Sequence, residues 1–284
     1  MKNHHLGPLA IFLAATLWSF GGLLGKLLPI SGLSVAILRG GIAALVIAGY
    51  RRRLSVVITK ATVLAGISLA LTTLLYMSAN KLTTAANAVV LQYTSPIYII
   101  FLNYIFLKHK PSKLDLFALV GVFTGLLLFF MDALKAGNLT GDLLALASGL
   151  SFSGVFFANK LKGANPIESV YLGNLLSFLL LPLVFLDPQI FTLNLNDILL
   201  LLVMGIFQLG IAYILFSIGI SRVSATSASI IATIEPILNP VWVFLFLGEL
   251  PTRNALIGAC VVLITVIVYN QIQSRNLSFS LDSK

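Results

Sequence analysis

Two ionisable side chains stand where the sequence offers them no water. Glu235 lies midway along an apolar stretch from 224 to 247, and Arg39 near the middle of another, from 33 to 50. A charge at such a depth is costly and faces a protein interior or a cavity, not lipid. A carboxyl there suits two tasks, holding an amine or carrying a proton. A guanidinium suits a solute carboxylate, or else a fixed partner such as Glu235 or a set of carbonyls. Helical spacing gathers Ala228, Ile231, Ala232, Asn239 and Trp242 onto the face of Glu235, polar and aromatic at its centre. Pro236 cannot donate to the helix ladder and, with Pro240, loosens it beside the carboxyl.

Other polar groups sit in equally apolar surroundings. The stretch from 84 to 107 carries Asn87, Gln92, Ser95 and Tyr98, and the stretch from 61 to 80 carries Thr72, Tyr76 and Asn80 at four-residue spacing. Gln208 and Tyr213 follow between 197 and 220, and Trp18 and Ser19 between 7 and 28. Amides and hydroxyls are unfavourable against lipid, so these groups are expected to face inward, as cavity lining or interhelical hydrogen bonds. The candidate binding set is Trp18, Arg39, Tyr76, Gln92, Ser95, Tyr98, Tyr213, Glu235, Asn239 and Trp242, with Pro96 and Pro236 as flexing positions. An aromatic cage of Trp18, Tyr76, Tyr93, Tyr98 and Trp242 competes with plain aromatic packing. His4, His5 and His109 all lie outside the apolar stretches, so no buried Ser–His pair or metal-ligand cluster is available. There is no phosphate-binding loop either. The expectation is a chain that is not an enzyme and has no catalytic residues, no cofactor and no metal.

The elements that position these groups follow from composition. Of 284 residues, 58% are hydrophobic and 10% are charged, against about 25% charged in a soluble domain. A soluble globule and a disordered chain are both excluded. Ten stretches are long enough to cross a bilayer as helices: 7–28, 33–50, 61–80, 84–107, 113–131, 141–160, 166–186, 197–220, 224–247 and 252–271. Continuous runs such as Leu175–Leu181 do not alternate as barrel strands would. The fold expected is an all-α integral membrane protein. The net charge of +9 is read as topology, with no nucleic-acid partner. Arg51, Arg52, Arg53, Lys60, Lys108, Lys110, Lys113, Lys160, Lys162 and Arg222 fall on the side of both termini, and only Lys26, Lys81, Lys135 and Arg253 opposite. Both termini are therefore expected in the cytoplasm.

Sliding the chain by 140 residues lays its second half on its first. Pro96 meets Pro236, Phe106-Leu107 meets Phe246-Leu247, Pro111 meets Pro251 and Ala85 meets Ala225. At a slightly smaller shift Ser19 meets Ser153 and Lys26 meets Lys160. Each half holds five spans, and an odd number makes the two repeats inverted, with a site expected near the midplane between them. The units expected are 6–131 and 141–271, followed by a cytoplasmic tail, 272–284. Gly21/Gly25 and Gly121/Gly125 have the spacing of close helix crossings.

These features carry a resemblance. Trp18-Ser19 with Lys26, Ile37-Leu38-Arg39-Gly40, the run from Tyr76 to Ala88, the run from Ile234 to Glu249, and Gly258 together resemble the drug/metabolite transporter superfamily, specifically its EamA family of ten-helix carriers. The resemblance implies a secondary transporter of the cell (inner, cytoplasmic) membrane. It implies that small organic, amino-acid-like metabolites move by alternating access, often outward, with the solute and the lipid bilayer as partners. Proton coupling through Glu235 is a further expectation; the resemblance fixes no oligomeric state. The alternative is a non-transporting interaction or sensor subunit on the same fold, without a polar cavity at its centre. The halves differ: the loop Glu249 is matched by His109, and Arg39 by Asn174.

Overall fold

A computed structural model describes residues 6–132, 138–238, 242 and 252–282. Among the described residues the chain is helices joined by short connections, with no strand. Nine helices there are long and apolar enough to cross a membrane: Leu6–Leu27, Gly32–Arg51, Lys60–Leu82, Asn87–Leu107, Lys113–Phe130, Leu139–Ala158, Pro166–Leu186, Leu195–Ile220 and Arg253–Gln273. A shorter apolar helix, Ala225–Leu238, lies between the last two. It is counted below as the ninth span and Arg253–Gln273 as the tenth. Asn239, Pro240 and Glu249 lie outside the described residues.

Side-chain caps start most of the spans. Ser31, Thr59, Thr84 and Ser224 each accept from a backbone N–H three residues on, at 3.0–3.2 Å. Ser112 with Asp115, and Asn194 with Asp197, make full capping boxes before the fifth and eighth spans. Each cap satisfies donors that the first helical turn leaves unmet, which matters most where lipid offers no substitute.

The packing is that of two halves exchanged by a pseudo-two-fold axis. The third span packs on the sixth as the eighth packs on the first. The third packs on the seventh as the eighth packs on the second, and the fourth on the sixth as the ninth on the first. The fifth and tenth spans, and the second and seventh, meet their own counterparts. At the fifth–tenth crossing a Cβ on Gly258 would stand 2.3 Å from the backbone nitrogen of Phe129 and 2.5 Å from the Gly125 carbonyl oxygen. Gly125 and Gly258 thus let the two backbones touch, as the spacing around Gly125 foretells.

Several spans depart from regular helix. The first breaks at Ser19–Phe20, between Leu6–Trp18 and Gly21–Leu27, just ahead of the paired Gly21 and Gly22. The fourth breaks at Tyr93–Thr94, ahead of Pro96, and the ninth at Thr233, ahead of Pro236. These two breaks are repeat-related and have one cause: a proline gives no N–H to the carbonyl four residues back and its ring pushes that carbonyl aside. The eighth span carries a π-helical segment, Met204–Ile211. The seventh changes from α-helix, Pro166–Phe178, to a 3-10 turn, Leu181–Leu186. The last helix runs on from the membrane to Asp282.

Candidate functional site

The spans converge on a small cavity of about 40 Å³, lined by Trp18, Arg39, Thr72, Thr73, Tyr76, Gln92, Phe152, Gln208, Leu209, Tyr213 and Glu235. Both halves contribute. A space of this size admits about one or two waters.

Arg39 is 2% exposed. Its Nη1 donates to Gln208 Oε1 at 2.9 Å, and its Nε has no hydrogen-bond partner among the described residues. Its repeat counterpart Asn174 is instead turned onto its own helix, donating to the Val170 carbonyl at 2.8 Å. The cationic end of the cavity thus belongs to the first half alone. Gln208 reaches Arg39 from the π segment. Its amide nitrogen lies 3.5 Å from the Trp18 carbonyl, which stands at the break of the first span. Gly21 makes room for it, since a Cβ there would stand 2.5 Å from that nitrogen.

Glu235 faces the same cavity from the ninth span. The Tyr93 hydroxyl lies 2.5 Å from Glu235 Oε2 and 3.0 Å from the carbonyl oxygen of Ala232. That carbonyl is the one that Pro236 deprives of its helical donor. A phenol has one proton, so with an ionised carboxylate it must choose between two acceptors. Both contacts are satisfied together when the carboxyl carries a proton and donates to Tyr93, whose own proton goes to Ala232. Arg39 and Glu235 share the cavity but form no ion pair; among the described residues the ion pairs are those of Arg51 and Arg53 with Glu168.

Trp18 packs in an aromatic cluster, 5.9 Å from Phe152, 5.2 Å from Tyr213 and 5.6 Å from Phe216 between ring centroids. Its Nε1 is buried without a partner among the described residues. So the cavity gathers Trp18, Arg39, Tyr76, Gln92, Tyr213 and Glu235 from the sequence-derived set. Ser95 is buried just past the break of the fourth span and Tyr98 is half-buried, and neither lines the cavity. Trp242 also stands aside: its Nε1 donates to Ser19 Oγ at 2.7 Å and its ring stacks on Phe20 at 4.6 Å. The five-residue aromatic cage is therefore not assembled. Asn239 lies outside the described residues. Pro96 and Pro236 are buried beside the breaks they cause. Thr72, Thr73, Phe152, Leu209 and Gln208 also line the cavity and are not in the candidate set, and Gln208 is the one that reaches Arg39. Its signal was an amide inside the most hydrophobic span, of mean hydropathy 2.5.

Polar fastenings close the two ends of the second and seventh spans. At one end the fully buried Glu168 accepts from Arg51 Nε (3.1 Å) and Nη2 (2.6 Å), Arg53 Nη2 (2.5 Å) and the Val57 N–H (2.9 Å). Arg51 also lies over the Tyr171 ring at 4.1 Å, and the Tyr171 hydroxyl donates to the Leu54 carbonyl at 3.0 Å. At the other end Asp187 Oδ2 accepts from the Ser31 N–H at 2.7 Å and the Ser34 hydroxyl at 2.8 Å. At the shift that pairs Lys26 with Lys160, one residue less than the shift that matches Arg39 with Asn174, Glu168 falls on Ser34 and Asp187 on Arg53, so the two fastenings occupy related places in the two halves. Among the described residues only the first contains ion pairs. Partial burial works against the Asp187 carboxylate, but hydrogen bonds from Ser31 and Ser34 outweigh it and hold the carboxyl below its ordinary 3.8.

Two packed inverted halves thus meet at a polar, charged centre. The EamA-like transporter family matches residues 5–131 and 139–271, and the chain belongs to that family. It is a multi-pass protein of the cell membrane. Three relatives are uncharacterized transporters. That of Clostridium kluyveri is 31% identical over 68% of this chain and 66% of its own length. The chain thus spans just under two-thirds of that relative. That of Archaeoglobus fulgidus is 27% identical over 70% and 72%, and that of Bacillus subtilis 26% identical over 92% of each chain. A solved structure described only as a crystal structure of a protein superposes with a TM-score of 0.78, covering 93% of this chain and 96% of that one, at 19% identity. That likeness concerns the fold alone.

Proposed function

We propose that this transporter is a secondary carrier of small zwitterionic, amino-acid-like solutes, exporting them by alternating access in exchange for protons. One observation carries the reading: Arg39 and Glu235, of opposite charge type, line one cavity at the centre of the spans without pairing with each other. Buried ions are normally paired, because an unpaired charge in a low-dielectric interior is unstable. A solute with a carboxylate and an ammonium supplies both missing partners at once, the carboxylate to Arg39 and the ammonium to Glu235. A scaffold or sensor subunit has no need of such an arrangement.

The Tyr93 geometry supports the coupling. A proton on Glu235 completes the chain from carboxyl to Tyr93 to the Ala232 carbonyl. An arriving ammonium needs a carboxylate, so solute binding releases that proton, and solute departure restores it. One carboxyl serving both in turn makes the two exclusive, which is antiport. A proton gradient directed inward then drives the solute out. Room for about one or two waters supports reading the cavity as too small for a solute as it stands, so a solute enters only after one half moves against the other. The repeat-related breaks ahead of Pro96 and Pro236 are the flexing positions, and the fastenings at Glu168 and Asp187 close the two ends. The cation excess on the side of Arg51 and Arg53 supports placing both termini in the cytoplasm.

The test is transport by purified protein in liposomes, screened over zwitterionic amino acids from pH 5 to 9. Wild type is expected to show a pH-dependent rate, and Glu235→Gln a flat one with weakened exchange. Transport by Glu235→Gln that follows the wild-type pH profile would refute the role given to Glu235.

A further inference from the structure

The cavity contains a competitor for its own cationic group. Gln208 presents a neutral carbonyl oxygen to Arg39 Nη1 at 2.9 Å, where the reading above places a solute carboxylate. Three features mark this contact as made to be displaced. It engages one nitrogen of the guanidinium and leaves the buried Nε without a partner among the described residues, whereas a carboxylate engages two nitrogens as a fork. The other end of the Gln208 amide is held weakly, 3.5 Å from the Trp18 carbonyl. And Gln208 sits in the π segment Met204–Ile211, a helical form less stable than the α-helix around it and found often at functional sites.

We propose that Gln208 is an internal stand-in for the solute carboxylate, occupying Arg39 while the cavity is empty and selecting for solutes whose acid group can displace it. The proposal rests on the zwitterion reading of the site. Its physics is a comparison of acceptors. The Arg39–Gln208 contact already has an ionised donor; a solute carboxylate adds charge on the acceptor as well, and a forked pair adds a second bond. A carboxylate therefore gains by replacing the Gln208 carbonyl. A neutral amide exchanges one uncharged carbonyl for another and gains nothing, so the self-contact discriminates against neutral analogues. It also spares the empty carrier a buried guanidinium without any acceptor, which would be costly. Gly21 belongs to the device, because a Cβ there would collide with the Gln208 amide at 2.5 Å.

The test compares wild type, Gln208→Met, Gln208→Glu and Arg39→Gln in detergent, by thermal shift and calorimetry, against the twenty amino acids and their amides. Gln208→Met keeps the length of the side chain and removes the acceptor. It is expected to bind the same amino acids roughly tenfold more tightly, the equivalent of one hydrogen bond to a charged group, and to bind amides that wild type rejects. Gln208→Glu is expected to form a fixed ion pair with Arg39 and to lose amino-acid binding while melting no lower than wild type. Unchanged or weaker binding by Gln208→Met, with binding still dependent on Arg39, overturns the stand-in and leaves Gln208 a residue that positions Arg39. Arg39→Gln binding acids as wild type does, or no amino acid binding to wild type, overturns the zwitterion reading itself and the stand-in with it.

Discussion

Replacing Glu168 by Gln should loosen one end of the protein and leave the other unchanged. Glu168 is fully buried and accepts four hydrogen bonds, three from Arg51 and Arg53 and one from the Val57 N–H. The isosteric amide keeps the volume, loses the charge and has one oxygen where the carboxylate has two. Arg51, whose side chain is 3% exposed, is then a buried cation without its anion. Breaking a buried pair from one side costs about 3–5 kcal/mol. Arg53 is 46% exposed and its share is screened by water, so about 2–4 kcal/mol is the reasonable figure. Local opening of the 52–59 loop would become more frequent by that amount, roughly a factor of 30 to 1,000 at about 1.4 kcal/mol per decade. Hydrogen–deuterium exchange reads this directly at the Val57 amide. The Ser31 amide, bonded to Asp187 at the opposite end, is the internal control. Unchanged protection at Val57, or an equal loss at Ser31, would refute the argument. On the orientation proposed above the loosened end is cytoplasmic, so the variant should favour the inward-open form.

The remaining expectations are smaller. Gly258→Ala puts a methyl 2.3 Å from the Phe129 backbone nitrogen. The fifth and tenth spans must separate, and a loss of about 1–3 kcal/mol is expected, visible in thermal melts in detergent. Gly49→Ala, with nothing within 4 Å of the added carbon, should be neutral or stabilise by up to about 1 kcal/mol, and an equal loss in both variants would contradict the packing assigned to Gly258. The Asp187 carboxyl is held below its ordinary 3.8 in the folded protein. Its contribution is thus complete above that value and is lost as pH falls through the lower folded value. The stability difference between wild type and Asp187→Asn should stay constant from pH 7 to 5 and disappear only in stronger acid; a difference already lost at pH 5.5 would contradict the sign.

Much of the site was legible because lipid punishes exposed polarity. Arg39, Tyr76, Gln92 and Glu235 had to face inward once the apolar stretches were read as spans, and they do meet at one cavity. Ser95 and Tyr98 share the outcome of a different cause. On an unbroken fourth span they would have kept the face of Gln92, but the break at Tyr93–Thr94 resets the helical register between them. Trp242 was assigned to the face of Glu235, yet the break of the first span at Ser19–Phe20 offers it a hydroxyl and a ring to stack on. A pattern of helical spacing assumes a continuous helix, and it fails where proline or the Ser19-Phe20-Gly21-Gly22 run interrupts the ladder.

What the sequence by itself determined is the membrane architecture. Hydropathy sets the spans, because a helix is the local solution to hydrogen bonding in lipid, and the 140-residue self-match with five spans per half sets their inverted relation. These are properties of the chain taken one segment at a time. What only the tertiary structure decided is who meets whom at the centre. Arg39 faces Gln208 and not Glu235, Glu235 faces Tyr93, and Arg51 and Arg53 converge on Glu168. Those partners stand more than 100 residues apart. Their meeting depends on a π segment, on glycines that admit one backbone or amide against another, and on the carbonyl that Pro236 releases. Such features shift a side chain by a fraction of a helical turn, a displacement that average polarity does not record and that decides which hydrogen bond forms.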